Sequence, residues 1–168
     1  MNLSTEDIND VMFKLSDAGK IPAYLGALPS DYVKPSIFYN RPHPDRPCCF
    51  LANYDPSNQA GSHWVAFLLN NGGKNQYFDS FGFDADFDDK ILGDKTQFRQ
   101  FLNTVSNNKP YWFNTFDYQS LQNTTCGTWA SVWIFKGGGA LKDAQKINNA
   151  SKRDKWVVQQ WQEMIKHS

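Results

Sequence analysis

His63-Trp64-Val65-Ala66-Phe67-Leu68-Leu69, then Asn70-Asn71-Gly72-Gly73-Lys74, then Gln76-Tyr77-Phe78-Asp79-Ser80-Phe81 is the stretch on which the fold turns. The first run is apolar and strand-like. The second has the Asn/Gly chemistry of a tight turn. The third is a strand with aromatics at Tyr77, Phe78 and Phe81. Together they read as a β-hairpin. Facing residues in an antiparallel pair share a sheet face, and a slip of one residue separates them. If His63 faces Asp79, the turn centres on residue 71, inside the Asn/Gly run. A carboxylate then stands beside an imidazole, where it would fix the ring tautomer and stabilise the imidazolium.

Outward from the hairpin, Ser4-Thr5-Glu6-Asp7 has the cap and acids of a helix start. Ile8, Val11, Met12 and Leu15 follow at helical spacing, and Gly19 closes the helix. Residues 21–56 are dense in proline and predict extended or irregular chain, with a short strand near Cys48 to Ala52. Asp84 to Asp89 reads as an acidic loop. Thr96 to Val105 reads as a helix, and Tyr111 and Phe113 mark a strand. A buried helix is expected over Cys126 to Lys136, ended by Gly137-Gly138-Gly139, and a last helix over Asp154 to His167. No repeat or long linker divides the chain, so residues 1–168 are expected to form a single α+β domain.

Lys and Arg number 17, as do Asp and Glu, so no global field draws the chain to nucleic acid or an acidic membrane. Lys152, Arg153 and Lys155 read as a solvated helix face. The acidic N-terminus lacks a signal peptide's apolar core, and no run is apolar enough for a membrane span. The three cysteines have no CxxC spacing. Neither a metal site nor a disulfide framework is expected, and a reducing compartment is. No cofactor is called for.

Cys126 stands apart from Cys48 and Cys49. It sits where the polar Asn123-Thr124-Thr125 meets an apolar helical run. A thiol at a helix N-terminus feels the positive end of the macrodipole, which favours thiolate. Free N–H groups there point at any bound anion. Gly127 would let a substrate backbone approach closely. A nucleophilic thiol needs a base in reach, and His63 has an evident carboxylate partner. Singly, each residue has a plainer reading, since a lone Cys is most often a small buried hydrophobe.

Taken together, Gly61-Ser62-His63-Trp64-Val65-Ala66-Phe67, Tyr77-Phe78-Asp79-Ser80-Phe81-Gly82, Gln119-Ser120-Leu121 and Cys126-Gly127 resemble the adenovirus-type maturation proteases (adenain-like). These belong to the ubiquitin-like-protein protease group, with relatives in virophages and large DNA viruses. The resemblance implies a papain-like/adenain-like α+β domain with a central, mostly antiparallel sheet packed by helices. It implies that His63 is the general base, Asp79 its orienting acid and Cys126 the nucleophile. Gln119 would donate its amide to the oxyanion, with Gln122 as a rival for that part. Trp64 would flank the imidazole and wall a narrow channel for glycine-rich substrate. The implied activity is endopeptidase cleavage of viral capsid precursor proteins, in the virion and the host cytoplasm. A ubiquitin-like-modifier isopeptidase and an inactive binding module are the alternatives. The family's disulfide-tethered activating peptide has no cysteine to hold it between Asn103 and Tyr118, which leaves a non-covalent peptide activator. DNA stimulation is not expected at zero net charge.

Overall fold

In the computed structural model, residues 3–34, 46–56, 63–70, 72–93, 95–121 and 124–168 are described. Helix α1 (Thr5–Asp17) starts on a reciprocal capping box between Ser4 and Asp7. It buries Ile8, Val11, Met12 and Leu15 and closes at Gly19, whose φ is +71°. Strand β1 (Ala23–Leu28) pairs parallel with β2 (Cys48–Asn53), in a stretch expected to be mostly irregular. Strand β2 runs antiparallel to β3 (Trp64–Leu69), and β3 antiparallel to β4 (Gln76–Phe78). Helices α2 (Ala85–Ile91) and α3 (Phe98–Val105) follow. Then come β5 (Trp112–Phe113), α4 (Cys126–Phe135), α5 (Lys142–Gln145) and α6 (Ala150–His167). The sheet order is β1-β2-β3-β4-β5, antiparallel at its centre and parallel at both outer pairings, since β5 lies parallel to β4.

Alternation along β2 and β3 feeds a core on each face of the sheet. Cys49, Leu51, Ala66, Leu68 and Phe78 face the layer made by α1, α4, α5 and α6. Phe50, Val65, Phe67 and Tyr77 face α3 and the start of α2. Phe50 and Phe67, opposite each other across β2 and β3, stack with centroids 4.6 Å apart. Helix α4 is apolar on every side because it is buried between the sheet and α6.

Several expectations need correction. Residues 84–89 are not loop, since α2 begins after Asp84 and its Asp88 and Asp89 point inward. Asp89 accepts the N–H groups of Phe98 and Arg99 and the Thr96 hydroxyl, so it caps α3 and delays that helix to Phe98. Helix α6 starts at Ala150, ahead of Asp154, on an Asn149 cap. The hairpin pairs Ala66 with Phe78, Phe67 with Tyr77 and Leu68 with Gln76. That register is two residues from the one expected and would place Phe81, not Asp79, opposite His63. The displacement is even, so the faces are as expected. The expected turn centre, Asn71, lies outside the described residues.

Candidate active site

His63 and Asp79 lie just past the paired ends of β3 and β4. Beyond Phe78 the chain leaves the ladder in a turn closed by Gly82 N–H donating to Asp79 O at 2.8 Å. The turn swings the Asp79 carboxylate one diagonal step toward His63, whose Nε2 stands 2.9 Å from Oδ1. The Phe81 ring, carried in that turn, stacks on the imidazole with centroids 5.0 Å apart. Tyr54 meets the same ring edge-on at 4.6 Å.

Asp79 is fully buried and heavily served. Besides His63, its Oδ1 accepts the Phe81 N–H at 2.9 Å and its Oδ2 the Tyr54 hydroxyl at 2.8 Å. Asn114 clamps the backbone there, donating to Asp79 O at 2.7 Å and accepting Asp79 N–H at 3.2 Å. Burial works against ionisation, but the hydrogen bond and charge of His63 outweigh it and hold Asp79 below the usual carboxylate range. Asp88 lies against it, fully buried, and accepts the Tyr77 hydroxyl at 2.5 Å. Burial and the neighbouring Asp79 charge push Asp88 up to about 9. The two acids divide their roles, one ionised toward His63 and one protonated behind it.

Cys126 is the first residue of α4, and its thiol hydrogen-bonds His63. The ring thus bridges Asp79 and Cys126, with Nε2 engaged by the acid. Burial would raise the thiol, yet the His63 hydrogen bond and charge and the N–H groups of Trp64 and Gly127 bring it below its ordinary range. Burial would likewise depress His63, but Asp79 and Cys126 raise it to about 10. Both shifts run toward a thiolate beside an imidazolium. All three cysteines are free and buried. Burial pushes the Cys48 thiol up to about 11 and raises Cys49 further, so Cys126 alone of the three is shifted toward thiolate.

Thr125 provides no side-chain cap to α4, because its hydroxyl turns to Asp154. The first-turn N–H groups next to the thiol are thus left to other partners. Gln119 is buried, with its N–H 3.2 Å from Ser80 O and its amide oxygen accepting the Ser80 hydroxyl at 2.5 Å. Gln122 lies outside the described residues. Trp64 is half-buried and packs over Gly127. A Cβ at Gly127 would come within 3.1 Å of Ile8 and 3.2 Å of Trp64, which gives this glycine a packing reason of its own.

His63, Asp79 and Cys126 are thus brought together, and Gln119 is tied to the residue after Asp79. Sequence reading missed Tyr54, Ser80, Asp88 and Asn114. Tyr54 and Asn114 meet Asp79, and Ser80 meets Gln119, across 25 or more residues, while Asp88 meets Tyr77 from an acidic run with no apolar period. Phe81 was legible as an aromatic of the hairpin, but its stack on His63 depends on the turn that ends β4. Among the described residues no group of three or more His, Cys, Asp or Glu side chains is gathered that could hold a metal ion.

No family model matches the chain. A curated protein of Acanthamoeba polyphaga mimivirus, named "Putative thiol protease", is 31% identical over 144 residues, covering 80% of this chain and 47% of that protein. The chain therefore spans about half the length of this relative. The crystal structure of the ASFV pS273R protease aligns with a TM-score of 0.51 at 16% identity, covering 91% of this chain and 65% of that one. The chain has the α+β, papain-like fold expected from the sequence, with a mixed five-stranded sheet.

Proposed function

We propose that the chain is a cysteine endopeptidase with Cys126 as nucleophile. The observation that carries this reading is the His63 ring held between Asp79 and Cys126, with Cys126 alone of the three thiols lowered. The mimivirus relative and the ASFV neighbour, both named as proteases, support it. The thiolate attacks the scissile carbonyl. The developing oxyanion is received by the Cys126 N–H and the Gln119 amide, a class of contact worth roughly 10²–10³ in kcat per donor. The His63 imidazolium gives its proton to the leaving amine and, now neutral, takes one from the water that cleaves the thioester. Asp79 keeps the ring oriented and its cationic form favoured. Trp64 walls the approach to Cys126 and selects small residues, so that viral capsid or core precursors with Gly-containing sites are the substrates.

The test is to incubate purified chain with such precursors and with glycine-rich peptides, mapping products by mass. Cleavage beside small residues, abolished in Cys126→Ala, is expected. Release of a diglycine-ended modifier with no precursor cleavage would point to an isopeptidase. No turnover of either would reject the reading.

A further inference from the structure

Asp154, near the start of α6, belongs to none of the groups described so far as acting in the reaction. It is buried, and a buried carboxylate is costly unless well partnered. Its partners are well defined. Oδ1 accepts the Thr125 hydroxyl and the Trp129 indole N–H, each at 2.9 Å. Oδ2 accepts the Ser120 N–H at 3.2 Å. These donors come from either side of the proposed oxyanion pair. Ser120 follows Gln119, Thr125 precedes Cys126, and Trp129 lies in the first turn of α4.

Arg153 grips the same segment further upstream. Its Nε donates to Tyr118 O at 3.0 Å and its Nη2 to Asp117 O at 3.3 Å, while its guanidinium lies 5.1 Å over the Phe116 ring. The expected solvated basic face is therefore, at Arg153, a clamp on backbone carbonyls.

We propose that Asp154 is a positioning residue for the oxyanion site, setting the gap between the Gln119 arm and the Cys126 N–H. This rests on the protease reading above. The two oxygens share their donors unequally. Oδ1 serves two donors, one of which, the indole N–H, cannot reverse its role. In Asp154→Asn the amide oxygen must take that position. The new NH₂ group then opposes the Ser120 N–H. The substitution removes the tie between Asp154 and the Gln119–Ser120 arm and leaves the ties to Thr125 and Trp129 in place.

The experiment measures kcat, KM and the rate of Cys126 alkylation by iodoacetamide in wild type, Asp154→Asn, Gln119→Ala and the double variant. For Asp154→Asn, kcat is expected to fall about 10- to 100-fold, short of or equal to the loss of a whole oxyanion donor. KM and the alkylation rate should stay within about twofold, because neither depends on the oxyanion geometry. The double variant should be no slower than Gln119→Ala alone, since both changes disable one donor.

A merely structural Asp154 would lower turnover and alkylation together with the folded fraction, and that result overturns the proposal. So do an unchanged kcat and a double variant whose losses multiply. If Asp154→Asn does not fold, Thr125→Val removes one donor from the same carboxylate and is judged by the same three readouts. Wild-type chain that neither cleaves substrate nor alkylates at Cys126 would reject the protease reading, and this inference with it. Wild-type activity with an indifferent Asp154→Asn rejects this inference alone.

Discussion

At the residue scale the account turns on one ring with two partners. Catalysis requires the thiolate and the imidazolium together, so kcat/KM should be bell-shaped in pH. The acid limb is Cys126 losing its proton, below the ordinary thiol range, and the alkaline limb is His63 losing its own near about 10. Asp79→Asn removes the anion that raises His63. The alkaline limb should move to lower pH. The acid limb should move up, because Cys126 loses part of its cationic partner. The bell therefore narrows, and the loss falls on kcat with KM little changed. A pH–rate series on the variant checks both limbs. A wild-type bell with only KM raised would make Asp79 a substrate contact instead. Asp88→Asn should leave the acid limb in place, because below about 9 an amide replaces an acid that is still neutral and adds no charge beside Asp79. A shift of the acid limb in that variant would mean Asp88 is ionised there.

At the element scale the turn after β4 does the positioning, and Gly82 makes it feasible. Its φ is +83°, and a Cβ there would sit 2.9 Å from both the Thr115 and Phe116 carbonyl oxygens. Gly82→Ala combines left-handed backbone strain with a clash against main chain, which cannot swing aside. A loss of about 2 kcal/mol or more is expected, a melting shift of roughly 4–8 °C for a chain of this size. Calorimetry showing wild-type stability would remove that role.

The same region shows what could be read beforehand. Period-two alternation revealed the hairpin and the face shared by His63 and Asp79, because any even slip preserves it. It could not reveal where β4 stops, which depends on the Asn114 clamp from far along the chain. Helix α2 was hidden because two of its inward positions are Asp88 and Asp89, partnered by Tyr77 and by the start of α3. Strand β1 owes its place to parallel pairing with β2, a contact with no local signature. Cys126 was legible from its place at the mouth of an apolar helix. So was the direction of its thiol's shift, while the help it receives from the Trp64 N–H was not.

For the whole molecule, the sheet carries His63 and Asp79 while the helical layer carries Cys126 and the Asp154 clamp. The site thus exists only when the layers are docked, which is why α6 belongs to the account of activity. No cysteine lies between Asn103 and Tyr118, and all three thiols are free, so cleavage should survive reductant without a tethered peptide. Dependence on an added peptide, lost again in dithiothreitol, would show that a strap exists. The central claim, that Cys126 is a nucleophile activated by His63, is tested most directly by peptide mapping after brief iodoacetamide treatment of folded chain near pH 6. One adduct at Cys126, with its rate sharply reduced in His63→Ala, is the predicted result. Labelling of Cys48 or Cys49 instead, or a rate at Cys126 indifferent to His63, would contradict it.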